Sequence, residues 1–556
     1  MSTELRAVDL YSGIGGWSLG LRMAGIVVAA SFDKWAPAND TNARNNRHNV
    51  VQADVRGLKI QQLPTNIAIV VGSPPCTQFS YSNRGGGGDL NDGIADVSAF
   101  LRIVQTLRPR HWVLENVPRL ASVLPSELSP GGRLHEFAGV EMAWTVCDLE
   151  QFGLPQRRRR CLIGNIDFTL LNSYRARLRS RTLGEVILAL SKNPVVDPCF
   201  GMTVPRADVS DHVLEPFLDE EEVRINAAAK THHPIYNRMA FPDSLARSVR
   251  TVTATCTRVS RESIVIEAPE ERHSFRRLTI RERASLQGFP VEFDFFGNTQ
   301  TQKLRMVGNA VPPLFAYLIG QAIRGTPAAS LPSFEEAFAK FEKPGTTPRT
   351  TTSAPTLRRF PRTRRFRFAL PTLHLKSGVR FELANKDVRG EMRWEVAFYF
   401  GSSTSINSLP LKPEAIPAVL NELPLTTRLL VSRRLNVLSE QLSAVDVVHL
   451  QDVWAHAGPG GTRPFSVLDT LDEAGKAVAA LLRGSLEGAT AGVRLSLDSR
   501  TMPASVGFQK LLRNSAIVAA GILVGATANG VLCNSKHVGP QGRALVRPTS
   551  RRSLAS

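Results

Sequence analysis

A cysteine ends the stretch Val70-Val71-Gly72-Ser73-Pro74-Pro75-Cys76. It follows Ile67 to Val71, a continuous apolar run of the kind that forms a strand covered on both faces. Gly72 and two prolines stop that strand, because proline fixes φ and lacks a backbone donor. A thiol held rigidly at a strand's carboxyl end sits where open α/β sheets bind their ligands. Cys76 is therefore a candidate nucleophile; the plain alternative is a buried structural cysteine. A second buried run, Trp112-Val113-Leu114-Glu115-Asn116-Val117, delivers Glu115 at its end. A third is preceded by Gln156-Arg157-Arg158-Arg159-Arg160, whose two-residue period puts Arg158 and Arg160 on one face. Cysteine, glutamate and arginines at the ends of adjacent parallel strands would form one site. Otherwise Glu115 is a loop carboxylate and the arginines are a solvated basic face.

The first strand opens into Asp9-Leu10-Tyr11-Ser12-Gly13-Ile14-Gly15-Gly16. Glycines at a strand-to-helix turn let the backbone approach a nucleotide-like ligand, although many helices simply begin this way. Asp33 after the second strand and Asp54 after a third element suit ribose hydroxyls and an adenine amino group. No P-loop lysine follows the glycines, which argues against a nucleoside triphosphate.

The elements that must position these residues are legible in outline. Arg6–Tyr11, Ile26–Phe32, Ile67–Val71, Trp112–Glu115 and Arg160–Gly164 read as strands alternating with helical patterns, so a parallel sheet with helices on both faces is expected. Residues 165–272 are irregular and short-stranded. Helices return at Thr279–Gln287 and Pro313–Ile323. A Thr/Pro-rich stretch from Lys343 to Thr356 reads as a linker, and a basic run with Phe360 and Phe366 follows it. A mixed α/β segment and a basic tail around Arg543, Arg547, Arg551 and Arg552 complete the 556 residues.

Composition is that of a globular protein, 43% hydrophobic and 21% charged. Six scattered cysteines make no disulfide framework or CxxC pair, which points to a reducing, cytoplasmic setting. Charges at Glu4, Arg6 and Asp9 interrupt any signal peptide. Ser515–Leu532 is expected as a buried helix or helix–turn–strand, and no membrane is expected as a partner. The net charge of +19 favours a polyanion, with a solvated basic surface as the alternative.

Taken together, these motifs resemble the cytosine-5 DNA methyltransferases, from Asp9 to about Pro313. DLYSGIGG resembles the S-adenosylmethionine loop, SPPCTQFS the Pro-Cys motif, and Glu115-Asn116-Val117 the Glu-Asn-Val motif. Gln156 to Arg160 resembles Gln-x-Arg-x-Arg, Arg277 to Pro290 the late structural motif, and Gly308-Asn309-Ala310-Val311-Pro312-Pro313 the final one. The family's order and spacing are kept. The resemblance implies a Rossmann-like methyltransferase sheet with an inserted target-recognition domain, S-adenosylmethionine as cofactor and double-stranded DNA as partner. It implies catalytic roles for Cys76, Glu115, Arg158 and Arg160. It assigns the cofactor to Asp9, Leu10, Tyr11, Gly13, Gly15, Gly16, Asp33, Asp54, Pro74, Asn309 and Val311. Two departures stand out: Ser31 falls where the family has a glutamate, and Asp92-Gly93-Ile94-Ala95-Asp96 replaces its Arg-Gly-x-Leu.

The implied chemistry explains the residue types. Cytosine carbon 5 cannot attack a methylsulfonium unaided, so a Cys76 thiolate, favoured by a cationic setting, would first add to carbon 6. Glu115 would hold the exocyclic amine and ring nitrogen, and Arg160, with Arg158 behind it, the carbonyl and nearby phosphate. The base must be flipped out of the duplex. The expected organisation is catalytic residues 1–165 and 273–330, target recognition 166–272 with DNA readers in Arg250–Arg258 and Arg261, and a linker 331–369. A C-terminal domain 370–540, which could bind a protein partner, and the tail 541–556 follow. Competing readings are an RNA cytosine-5 methyltransferase and a catalytically silent binding protein. His212, His232, His233, Cys199 and Cys256 have no metal-ligand spacing, so no zinc is expected. Glu382, Asp387 and Glu395 could be a degenerate nuclease core, although ordinary surface carboxylates fit as well.

Overall fold

The apolar runs form a seven-stranded sheet from Arg6–Leu10 (β1), Val27–Asp33 (β2), Val50–Gln52 (β3), Ile69–Gly72 (β4), His111–Asn116 (β5), Ala143–Asp148 (β6) and, beyond the short Gln156–Arg157 (β7), Arg159–Gly164 (β8). Their order is β3-β2-β1-β4-β5-β8-β6. This computed structural model describes residues 4–76, 78–79, 89–231, 239–340, 360–375, 379–402, 405–456, 461–497 and 508–533. Gly85–Gly88, His232, His233, the Thr/Pro stretch, Arg358, Arg359 and the basic tail lie outside them.

The sheet is mixed rather than parallel. β8 runs antiparallel to both β5 and β6. Only ten residues join β6 to β8, and a connection that short returns the chain antiparallel, whereas parallel neighbours need a longer crossover. Arg160 therefore enters its strand at the same edge where Glu115 leaves β5. Adjacent residues in each strand serve opposite faces, as the pleat requires. Ala7, Val71, Val113 and Leu162 belong to one apolar cluster, and Val8, Val70, Leu114 and Ile163 to the other.

Four helices thread through the sheet: Gly16–Met23 (α1), Ala36–Asn46 (α2), Leu90–Leu107 (α3) and Pro118–Leu128 (α4). Phe100 and Val104 of α3 and Leu120 and Leu124 of α4 join the second cluster. The region after β8 is built from Phe168–Ser173 (α5), Leu183–Ser191 (α6), Val195–Val196 (β9), Thr203–Val204 (β10) and Glu220–Thr231 (α7). Val249–Arg250 (β11) then lies parallel to β7, and Val265–Glu267 (β12) pairs with Phe275–Arg277 (β13). Ile280–Leu286 (α8), Gln300–Asn309 (α9), Pro313–Ile323 (α10) and Phe334–Ala339 (α11) follow. Phe315 and Leu318 of α10 pack in the first cluster with Trp17 of α1. So do Phe334 and Phe338 of α11, which carries the catalytic fold past the expected boundary at residue 330.

The chain divides into two compact units, the second taking in Leu357 onward. That unit holds an antiparallel sheet of Arg367–His374 (β14), Arg380–Val388 (β15), Glu391–Ser402 (β16) and Ser405–Pro410 (β17) in sequential order. Its helices are Ala415–Leu420 (α12), Leu425–Ser443 (α13), Val447–Trp454 (α14), Pro464–Leu482 (α15), Leu486–Ser496 (α16), Phe508–Arg513 (α17) and Ser515–Leu532 (α18). α18 is a single core helix. Asn529 Oδ1 accepts from Val396 N–H at 2.7 Å and its Nδ2 donates to Leu411 O at 2.8 Å, tying α18 to the sheet. Among the described residues, Gln300–Ile323 and Ser515–Leu532 are long and apolar enough to cross a membrane, and both are largely buried in the protein.

The basic run ahead of β14 is part of this unit, not a linker reaching 369. Phe366 is fully buried among Phe368, Trp394, Trp454 and Phe465. Arg364 lies between the Phe360 and Trp454 rings, 3.7 Å from each centroid. Glu382 is ion-paired with Arg367 and Arg380, Glu395 with Lys386, and Asp387 accepts from Gly390 N–H. The three carboxylates thus neutralise cations or cap a turn.

Candidate active site

Four strand ends meet around Cys76. β4 ends at Gly72, and Ser73 N–H still donates to Leu10 O of β1 at 3.2 Å. The Trp17 indole donates to Ser73 Oγ at 2.9 Å, and Asn116 Nδ2 at the end of β5 donates to Pro74 O at 3.0 Å. Asn116 is fully buried, so this bond fixes the rigid turn to the Glu115 strand. Cys76 is half-buried at the end of that turn. Cys147, Cys161 and Cys199 are buried, and loss of solvent pushes their thiols up to about 11, about 12 and about 12. Those three are inert by environment.

Glu115 and Arg160 form an ion pair, Nε to Oε1 2.7 Å, with about a tenth of each side chain exposed. Arg158 is 2% exposed and reaches the other way, to Val252 O at 3.3 Å, Gly308 O at 3.3 Å and Ala310 O at 3.2 Å. Burial depresses its pKa and the Arg160 charge adds to this, while Glu115 and Cys76 oppose it. All four predicted catalytic residues thus sit within electrostatic reach of one another, but with a division of labour. Arg160 faces Glu115; Arg158 clamps three backbone carbonyls. Gln156 does the same as an amide: its Oε1 accepts from Val252 N–H at 2.7 Å and its Nε2 donates to Leu286 O at 3.0 Å. Asn116 and Gln156 lie inside the motifs, and the sequence alone assigns them no role. Their signal was a polar residue embedded in, or next to, a buried strand.

The glycine turn joins the same edge, with β2 on one side of β1 and β4 on the other, the switch point where such sheets bind ligands. A Cβ on Gly13, at φ +51°, would meet nothing within 4 Å, so its backbone borders open space. Gly15 and Gly16 serve packing instead: a Cβ on Gly16 would lie 1.9 Å from Val311 O. Asp33 accepts from Gly13 N–H at 2.9 Å and Trp35 N–H at 2.8 Å, latching the turn to β2. A carboxylate has about four acceptor sites, so a hydroxyl can still be bound there. Asp54 is exposed and accepts from Arg56 N–H at 3.1 Å. Asn309 is exposed at the end of α9; Leu10, Pro74 and Val311 are buried. Tyr11 donates from its hydroxyl toward Asp96 Oδ1 at 3.2 Å, and Arg56 Nε reaches the same oxygen at 2.7 Å. Asp96 lies in the segment that departs from the family pattern, where it ties α3 to the turn. Asp9 is fully buried; Ser18 Oγ donates to its Oδ2 at 2.7 Å, and burial, with the Asp33 charge, pushes its carboxyl up to about 7. Ser31, also fully buried, is hydrogen-bonded to Ser18 at 3.0 Å and His48 at 2.5 Å, pointing into the core. An open-sided glycine backbone flanked by acceptors fits a nucleoside cofactor.

Among the expected DNA readers, Arg250 pairs with Asp243 and Arg258 with Glu222, at 2.7 and 2.6 Å. His212 Nδ1 is bonded to Thr279 Oγ1 at 3.0 Å, and Cys199 donates weakly to Ser285 O at 3.8 Å.

Residues 5–325 match the family described as C-5 cytosine-specific DNA methylase, and the chain belongs to it. It is a DNA (cytosine-5-)-methyltransferase. Type II methyltransferase M.FnuDI of Fusobacterium nucleatum is 27% identical over 58% of this chain and 95% of its own length. Type II methyltransferase M.HindV of Haemophilus influenzae is 30% identical over 57% and 96%. Among solved structures, an S. pombe Dnmt2 methyltransferase aligns at 16% identity and a TM-score of 0.42, over 58% of this chain and 99% of its own.

Proposed function

We propose that this enzyme transfers a methyl group from S-adenosylmethionine to carbon 5 of a cytosine flipped out of double-stranded DNA, through a covalent adduct on Cys76. The observation that carries this reading is the Glu115–Arg160 pair beside the Pro74-Pro75-Cys76 turn, held there by Asn116. When bound, S-adenosylmethionine would supply an electrophilic methyl on a sulfonium, and the Gly13 backbone, Asp33 and Asp54 are the groups that would hold it. Cys76 as thiolate bonds to cytosine carbon 6 and makes carbon 5 nucleophilic. Glu115, oriented by Arg160, holds the exocyclic amine and ring nitrogen as charge develops. Arg160 also offers its remaining donors to the base carbonyl. Once carbon 5 carries the methyl group, its proton passes to solvent, and the carbon 5–carbon 6 double bond re-forms as the bond to sulfur breaks, releasing Cys76 as thiolate. Residues 166–272 read the target sequence, and the type II names of the relatives support a modification role in a restriction system.

The test is direct. Labelled S-adenosylmethionine is incubated with DNA, or with RNA in a parallel arm, and the methylated base is mapped by sequencing. Label on cytosine carbon 5 at one recurrent DNA sequence is expected. Label confined to RNA, or no transfer by a folded protein that binds the cofactor, would overturn the reading.

A further inference from the structure

The outward face of α16 carries a two-fold pattern of side chains, of which its own unit engages the Thr490 hydroxyl, 3.0 Å from Ser515 Oγ. Ala489, Gly492 and Val493 are buried against the unit, and Gly492 sits close to Val419 of α12. The opposite stripe runs Leu486-Glu487, Thr490-Ala491, Arg494-Leu495, four residues apart, so it forms one continuous face. Leu486 and Leu495 are 53% and 62% exposed, and Glu487 and Arg494 are also exposed. The stripe borders an open groove of about 600 Å³. Leu425 and Leu429, one turn apart on α13 and 62% and 61% exposed, add to the apolar surface. Thr427 Oγ1 and Ser485 Oγ, 2.9 Å apart, tie the start of α13 to the start of α16.

Read from either end, the stripe gives leucine, charge, small pair, opposite charge, leucine. A two-fold axis between Thr490 and Ala491 places Leu486 over Leu495 of a second copy and Glu487 opposite its Arg494, and the operation repeats both contacts. The small side chains at the centre let two antiparallel helices approach closely. Such self-complementarity is what an isologous interface requires. Acidic or basic partner helices would each leave one charge opposed by its like.

We propose that the C-terminal unit dimerises the enzyme, by antiparallel pairing of α16 with α16 of a second copy. The small centre, the flanking leucines and the reversed charges all fit the same occupant. The dimer would carry two catalytic units.

Sedimentation velocity on the full, DNA-free chain across the micromolar range tests this. A monomer–dimer equilibrium is expected. Glu487→Arg alone, or Arg494→Glu alone, sets like charges opposite each other twice and should weaken dimerisation at least about tenfold, since such juxtaposition costs several kcal/mol. The double swap E487R/R494E reverses both charges, keeps the pairing self-complementary, and should restore the dimer. Ala491→Cys, beside the axis, should give a disulfide-linked dimer under mild oxidation. Circular dichroism on each variant checks the fold. A chain that stays monomeric overturns the proposal. So does a dimer indifferent to the single swaps, or one that the double swap fails to restore.

Discussion

Glu115 and Arg160 are nearly buried, and removing one partner of such a pair leaves an uncompensated charge worth about 3–5 kcal/mol. Glu115→Ala would therefore confuse lost chemistry with lost folding. Cys76→Ala is the cleaner probe, because the thiol is only half-buried and its removal leaves the Glu115–Arg160 pair intact. It should abolish methyl transfer and leave cofactor affinity largely intact, and DNA carrying 5-fluorocytosine should trap the parent enzyme, but not the variant, as an adduct stable to denaturing gels. Substantial turnover by the alanine variant would refute the nucleophile. Asp9 gives a second test at this scale. Its carboxyl is raised from 3.8 to about 7 by burial. The unfolded chain thus ionises Asp9 first, and the stability it confers, full below pH 4, is lost as pH rises to about 7. Asp9→Asn cannot ionise, so its melting temperature relative to the parent should climb between pH 5 and 7 and level off above. A difference that stays flat across that range would show that Asp9 ionises freely in the fold. Cys76, Glu115 and the arginines were legible from sequence because strand ends announce themselves by apolar runs stopped by proline, asparagine or charge. What Ser31 and Asp96 do was not: their partners Ser18, His48, Tyr11 and Arg56 lie 13 to 85 residues away.

At the scale of elements, direction was the thing hidden. The Arg160–Gly164 run reads as buried on both faces, and that pattern is the same for a strand running either way; only the short link from β6 makes β8 antiparallel. α11 falls within the stretch expected as linker, although Ser333 and Glu336 form a capping box that marks its start. Arg276, Arg277, Arg281 and Arg283 are all buried, binding Glu282 and Glu270, Glu215, the Pro290 and Phe293 carbonyls, and Thr253 O respectively. They act as struts inside the fold, as expected of a structural motif. The glycine turn offers a prediction about how α1 meets the segment leading into α10. Gly16→Ala would drive a methyl group to 1.9 Å from the Val311 carbonyl, a backbone atom that cannot swing aside. Overpacking of this kind costs about 1–3 kcal/mol, and Gly16→Ala should lower the melting temperature by several degrees. Gly13→Ala meets no atom and should melt within a few degrees of the parent, paying only the left-handed backbone penalty of about 1–2 kcal/mol. Its defect should show in S-adenosylhomocysteine affinity instead, measured by calorimetry. Equal losses of stability and affinity in both variants would show that Gly13 does not border the cofactor.

For the whole molecule, the net charge of +19 is unevenly shared. From Leu357 onward there are 27 Lys and Arg against 14 Asp and Glu, whereas the preceding 356 residues carry 41 against 35. The catalytic unit is thus close to balanced, and several of its arginines are internal. The polyanion signal that composition gives belongs mainly to the C-terminal unit, whose charge the family resemblance, ending near residue 325, does not account for. This separation makes the division of the chain testable. A protein ending at Lys343 keeps α11, whose Phe334 and Phe338 pack in the catalytic core, with Phe338 4.7 Å from the Phe200 ring. It should fold, bind cofactor and methylate DNA in low salt with kcat near that of the full chain. Its DNA affinity should be weaker, and because counterion release scales with the phosphates neutralised, its plot of log Kd against log salt should be shallower. A chain stopped at Ser330 instead strips the Phe334 and Phe338 rings from the core; burying an aromatic is worth about 3–5 kcal/mol by truncation, so this version should melt markedly lower or fail to fold. Measured side by side, the two endpoints separate stability from chemistry. If the 343-residue protein is folded and binds cofactor yet transfers no methyl group, the C-terminal unit is part of the catalytic machinery, and the active site extends beyond the family's own boundaries.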